Sequence, residues 1–171
     1  MKKIILAAIA VMTVGFASAQ EQTKKGKYLI EGNTSFGATG TGNTGFALSS
    51  EDGTTSWNIG AEGGYFVADN LALKVGLGYG DNGEDYGNSM FSYKVGAKYY
   101  VINKIPFEVS YTGASVKDAD ENPSYLGIQG GYAWFIGNNI SIEPGLRYNV
   151  TLNEDYGKDV LQFNIGFALH F

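Results

Sequence analysis

Leu161-Gln162-Phe163-Asn164-Ile165-Gly166-Phe167-Ala168-Leu169-His170-Phe171 is the stretch whose reading decides the fold. Leu161, Phe163, Ile165, Phe167, Leu169 and Phe171 take every second position, and Gln162, Asn164, Gly166, Ala168 and His170 fill the places between. A period of two is that of a β-strand, whose side chains leave alternately from its two faces. The length also suits a bilayer, since a tilted strand crosses the hydrocarbon core in roughly 9 to 11 residues. One face is bulky and apolar and the other small and polar, so the two faces need different surroundings.

The same alternation returns upstream. It predicts strands over Tyr28–Gly37, Trp57–Phe66, Leu71–Gly80, Phe91–Val101, Phe107–Ala114, Tyr125–Phe135 and Ile140–Val150. With the closing stretch this makes an all-β chain of eight strands. Connections alternate strictly. Ala38–Thr55, Asp81–Met90, Val116–Ser124 and Thr151–Asp159 are long, the first reading as a loop or as the flared ends of two strands. Val67–Asn70, Ile102–Pro106 and Ile136–Asn139 are short and turn-like. Long alternating with short is the pattern of an antiparallel up-and-down transmembrane β-barrel with external loops and periplasmic turns. An even strand number leaves both ends on the periplasmic side, with polar Gln20–Lys27 as a mobile lead-in.

An internal repeat supports this division. Gly63-Gly64-Tyr65 returns as Gly130-Gly131-Tyr132, Asp69-Asn70-Leu71 as Asn138-Asn139-Ile140, and Glu84-Asp85-Tyr86-Gly87 as Glu154-Asp155-Tyr156-Gly157. Tyr93-Lys94-Val95-Gly96 returns as Phe163-Asn164-Ile165-Gly166 with the same residues on the same face, which points to duplication of a hairpin unit.

Composition decides which face is outside. A barrel of eight strands is only just wide enough for its own side chains to fill, so the large apolar set cannot be enclosed, whereas the Gly, Ser and Asn of the other face fit a narrow lumen. The apolar face therefore points outward, into lipid. Trp57, Tyr65, Tyr79, Tyr99, Tyr132, Trp134 and Tyr148 lie near strand ends, as interfacial aromatic girdles require. The inward face carries Glu31, Glu62, Glu108 and Glu143 against Lys74, Lys94, Lys98 and Arg147. Balanced charge is what a poorly hydrated lumen needs, because an unpaired buried ion costs several kcal/mol. The expected role of these eight residues is a structural charge network that closes the lumen; a selectivity filter or proton relay is the functional alternative. Glu62 and Lys74 flank the Val67–Asn70 turn and are expected to face each other, with Glu108 diagonal to Lys98.

At the N-terminus, Met1-Lys2-Lys3, the apolar run Ile4–Met12 and Ala17-Ser18-Ala19 form a signal peptide with cleavage after Ala19, leaving residues 20–171 as the barrel domain. Gln20 rather than Cys follows, so no lipid-modified N-terminus is expected. Without Lys2 and Lys3 the chain has 10 basic against 17 acidic residues, a balance that argues against nucleic acid. It has no cysteine, which removes thiol catalysis, disulfides and cysteine zinc sites. No later stretch is long and apolar enough for a transmembrane helix.

The closing stretch resembles the C-terminal strand of bacterial outer-membrane β-barrels. That resemblance implies recognition by the outer-membrane assembly machinery through Phe163, Ile165, Phe167, Leu169 and Phe171. Residues 27–171 as a whole resemble the outer-membrane protein A-like and X-like superfamily of small barrels, in architecture, end signal and lumen chemistry. The resemblance implies a protein of the bacterial outer membrane without a wide channel. No soluble peptidoglycan-binding domain is expected after Phe171.

Three other features read as structural. Gly40-Thr41-Gly42-Asn43-Thr44-Gly45 fits a dinucleotide-binding pattern, but Phe46–Gly53 offers no helix to follow it. His170, the only histidine, is expected to face inward at the periplasmic mouth with no inward serine beside it, so no esterase site is read there. Glu84-Asp85, Asp118, Asp120-Glu121 and Glu154-Asp155 form an acidic external crown whose spacing matches no calcium loop. The functional expectation is a structural or surface-interaction barrel, with a small-solute or ion pore as the alternative and no catalytic, cofactor or metal site. Its expected partners are outer-membrane lipid and lipopolysaccharide, the assembly machinery, and a surface ligand met through the loops.

Overall fold

In the computed structural model, residues 21–36, 44–51, 54–81, 89–117, 122–154 and 157–171 are described. The signal segment lies outside them, as do Gly40–Asn43 of the glycine motif and Glu84, Asp85, Asp118, Asp120, Glu121 and Asp155 of the acidic crown. The described strands are β1 (Tyr28–Phe36), β2 (Ala47–Glu51), β3 (Thr54–Ala68), β4 (Leu71–Asp81), β5 (Ser89–Val101), β6 (Ile105–Val116), β7 (Ser124–Gly131), β8 (Trp134–Phe135), β9 (Ile140–Thr151) and β10 (Val160–His170).

Ten segments make an eight-stave barrel. β7 and β8 form one stave, both paired with β9. β2 is a short flap beside the external part of β3, with Ala47 opposite Asn58 and Glu51 opposite Thr54. β1 closes the wall by pairing with β10, from Leu29↔His170 to Phe36↔Phe163, and with β3, from Tyr28↔Tyr65 to Glu31↔Glu62. Every strand pair is antiparallel. Closure matters because lipid offers no hydrogen bonds, so a spanning sheet can leave no free edge.

The register departs from expectation at several places. The Val67–Asn70 turn is tighter: Ala68 faces Leu71, Val67 bulges out of the ladder, and Asn70 takes a left-handed φ of 67°. Asparagine tolerates that region better than most side chains. Consequently Glu62 lies opposite Gly76 and Lys74 opposite Gly64, so the two are diagonal rather than in register, although their side chains still meet as expected, at 2.6 Å. Lys98 lies directly opposite Glu108, not diagonal to it. The stave over Tyr125–Phe135 is broken at Tyr132–Ala133, where the Ala133 amide donates to the Lys104 carbonyl (2.7 Å) and the Tyr132 amide to the Pro144 carbonyl (3.0 Å).

The lead-in is also held rather than loose. The Gly26 amide donates to the Phe66 carbonyl and the Phe66 amide to the Lys27 carbonyl, both 2.9 Å. The Asn70 amide donates to the Thr23 carbonyl (2.6 Å), and the Lys25 amide to Asp69 Oδ1 (2.9 Å). These bonds draw Thr23 under the periplasmic mouth, where it is fully buried.

Candidate functional site: the barrel interior

The pleat sorts side chains as the alternation predicts. Tyr28, Ile30, Trp57, Ile59, Val75, Leu77, Phe91, Val95, Phe107, Leu126, Ile128, Leu146 and Leu161 are exposed on the outer wall. A continuous apolar exterior of this kind is compatible with lipid and not with water. Inside, the filling falls into three layers.

The middle layer carries charge. Lys74 Nζ lies 2.9 Å from Glu31, 2.6 Å from Glu62 and 2.7 Å from Glu108. Lys94 Nζ bridges Glu62 (2.6 Å) and Glu108 (3.1 Å), and Lys98 Nζ bridges Glu31 (2.7 Å) and Glu143 (2.5 Å). Arg147 Nη1 reaches Glu108 at 3.2 Å. All eight predicted residues are therefore brought together and buried. Few of the contacts are between neighbouring staves. Lys98 ignores Glu108, its partner in register, and reaches across the lumen to β1 and β9. Oxygens of Glu31, Glu62 and Glu108 converge within 4.8 Å, the geometry of a cation site, and the Lys74 ammonium stands among them.

The external layer is made of neutral polar groups. Arg147 donates to Asn149 Oδ1 (2.7 Å), Ser110 Oγ (2.8 Å) and Thr112 Oγ1 (3.3 Å). Asn149 donates to Gln162 (2.8 Å), and Asn164 to Gln129 (3.3 Å). Gly127 faces this guanidinium, and a Cβ there would collide with it. Thr44, one of the two described residues of the glycine motif, is buried in the lumen and donates to Glu62 at 2.6 Å. β2 follows it where a dinucleotide site needs a helix.

The periplasmic layer was not legible in the sequence. Leu29, Phe66, Ala72, Tyr100, Ala133, Phe135 and Ala168 form a buried apolar cluster on the inward face. Leu29, Phe66, Tyr100 and Phe135 each break the polar inward pattern of their strands, singly and far apart in the chain. The His170 ring packs among Phe66, Tyr100 and Phe135, with ring centroids 6.3, 6.1 and 5.2 Å away.

His170 does have an inward serine beside it, because β9 and β10 place Ser141 Oγ 3.1 Å from Nε2. The connectivity is nevertheless not that of a hydrolase. The serine donates to Glu143 Oε1 (2.8 Å), so Nε2 is the donor to the serine; this tautomer follows from the network. A catalytic triad puts its carboxylate on the far imidazole nitrogen and leaves the serine proton for Nε2. Here Glu143 itself accepts the hydrogen bond of the serine, together with those of Tyr100 (2.9 Å) and Lys98 (2.5 Å).

The predicted end-signal residues lie on the outer face: Phe163, Phe167, Leu169 and Phe171 are exposed and Ile165 is partly covered. Phe171 continues the ladder by exchanging 3.0 Å backbone bonds with Tyr28. At the external end, Asp159 accepts from the Thr151 amide (2.9 Å) and the Tyr148 hydroxyl (2.8 Å), which hold its carboxyl below the ordinary aspartate value. A depressed value means the contribution is full above the unfolded pKa and is lost as pH falls through the folded one. The protection of the Thr151 amide, its exchange rate relative to that of a free chain at the same pH, is therefore expected to be present at neutral pH, to fall in that acid range, and to be low at every pH in Asp159→Ala.

No family model and no curated protein matches the chain. Solved structures do. The N-terminal β-barrel domain of Pseudomonas aeruginosa OprF is 16% identical, with a TM-score of 0.50 over 86% of this chain and 98% of that one. Yersinia pestis Ail, determined in a phospholipid bilayer nanodisc, is 12% identical, with a TM-score of 0.50 over 86% of this chain and 100% of that one. Neisserial surface protein A is 16% identical, with a TM-score of 0.50 over 85% of this chain and 96% of that one. At such identities the likeness is one of fold. Closed wall, lipid-facing exterior and polar interior agree with it, and the chain has the fold of the small eight-stranded β-barrels of the bacterial outer membrane.

Proposed function

We propose that this protein is a non-conducting barrel that anchors its external loops at the cell surface, where they meet partners, ions or lipopolysaccharide headgroups. One observation supports the reading: buried ion pairs link opposite staves across the lumen, above a buried apolar cluster. Buried ions held in bonds of this number exchange their partners for passing solutes only at several kcal/mol each. In the same reading, the outward residues of β10 from Phe163 to Phe171 serve as the assembly signal, and no chemistry is carried out.

The discriminating experiment is planar-bilayer recording with purified full-length protein. The expected result is no steady single-channel steps at moderate voltage. Steady steps whose size or ion preference shifts in Lys98→Gln or Arg147→Gln would replace this reading with a small pore. The adhesive half is tested separately, by comparing loop-deletion variants with the parent for binding to host matrix or other cells.

A further inference from the structure

Lys24-Lys25-Gly26-Lys27 is the feature that neither the lumen nor the external loops account for. The segment is a fixed turn: the Lys27 amide donates to the Lys24 carbonyl (3.2 Å), and Gly26 takes a φ of 92° that a side chain would strain. Bonds to Phe66 and Asp69, with the Asn70 bond to the preceding Thr23, clamp it to the periplasmic rim, leaving Lys24 and Lys25 exposed and Lys27 half-buried. Among the described residues, two acidic side chains contact the turn. Glu21 pairs weakly with Lys24 at 3.8 Å, both side chains more than half exposed, and Asp69 is engaged by a backbone amide.

The position matters as much as the charge. The turn leads directly into Tyr28, whose ring packs 5.2 Å from Tyr65 on the outer wall. Exposed tyrosines at a strand end mark the depth of the headgroups, so ammonium groups just beyond them stand at the depth of lipid phosphates. The chain carries a net charge of −5, and the sequence concentrates its acids in the external loops. Attraction to an anionic surface would therefore be local to this rim.

We propose that the Lys24–Lys27 turn is a headgroup-binding collar that recruits anionic phospholipids of the inner leaflet to the periplasmic edge of the barrel. The occupant is committed by two features: positive charge at phosphate depth, and continuity with the lipid-facing wall. The proposal does not depend on whether the lumen conducts.

The test uses the full chain with one reporter tryptophan at the rim, Tyr28→Trp in a Trp57→Phe, Trp134→Phe background, reconstituted in phosphatidylcholine vesicles. Fluorescence quenching by brominated phosphatidylglycerol is compared with quenching by brominated phosphatidylcholine. The collar predicts about threefold selectivity for the anionic lipid, lost at high salt and reduced to near unity by Lys24→Gln, Lys25→Gln and Lys27→Gln together. The matching triple arginine variant should keep the selectivity. A reporter left at Trp57, near the external end, should show none. Unchanged heat-modifiable mobility in the glutamine variant shows that the barrel still folds. Equal quenching by both lipids in the parent, or selectivity that survives the glutamine substitutions, overturns the proposal. So does a glutamine variant that keeps its lipid selectivity while losing retention on purified peptidoglycan, which would make the wall polymer the partner.

Discussion

Lys74→Met is expected to destabilise the barrel by about 3–5 kcal/mol, the usual consequence of removing one member of a buried ion network. Methionine has nearly the volume of lysine, so the change removes charge with little change in packing. What remains are Glu31, Glu62 and Glu108, three buried carboxylates whose oxygens lie within 4.8 Å of one another. Lys94 and Lys98 stay bonded to two of them and Arg147 to the third, but none takes the central position. The urea midpoint of folded protein in detergent or lipid measures the loss. Lys74→Met with Glu62→Gln should recover part of it, because one of the repelling charges is then gone. Calcium should stabilise Lys74→Ala and leave the parent unaffected, since the freed oxygens form a hard cation site. A loss below about 1 kcal/mol, the scale of a solvated ion pair, would mean that water screens the lumen, and the closed reading would fall with it.

Phe66→Ala should cost about as much, roughly 3–5 kcal/mol for a fully buried aromatic ring, by a different physical route. Phe66 is completely enclosed, and its neighbours Tyr100 and His170 (centroids 6.0 and 6.3 Å away) are themselves buried. Its backbone holds Gly26 and Lys27. Removing the ring leaves a cavity below the charge layer and loosens the N-terminal clamp together. Amide exchange at Gly26 and Asn70 should rise sharply in this variant, while exchange at Thr151, at the opposite end, stays as in the parent. Uniform acceleration along every strand would show instead that the apolar layer is only one part of a single cooperative unit.

The two variants probe features that were unequally legible. The charged ring was readable from the pleat: Glu31, Glu62, Lys74, Lys94, Lys98, Glu108, Glu143 and Arg147 all fall on the face opposite the run of large apolar residues in their strands, so the pleat carries them inward. Which cation meets which carboxylate was not readable. Lys98 and Glu108 are partners in register yet bond elsewhere, because a long lysine in a narrow barrel reaches staves that the chain visits much earlier or later. The apolar layer was missed for a related reason. Leu29, Phe66, Tyr100 and Phe135 are isolated exceptions on four different strands, and only closure brings them into one plane. The clamped lead-in and the Ser141–His170 contact follow the same logic, since each joins segments whose sequences carry no local sign of the other.

Alternation and composition determined by themselves how many times the wall crosses the bilayer, which side chains face lipid, and that the interior is electrically balanced. These are local properties, set by a two-residue pleat and by which solvent each face tolerates. The tertiary structure alone decided the partners inside: the ammonium of Lys74 among three carboxylates, the aromatic layer beneath it, and the short flap β2 beside β3. The reason is geometric. Strand tilt and stagger set the level at which distant staves meet across the lumen, and no run of neighbouring residues records them.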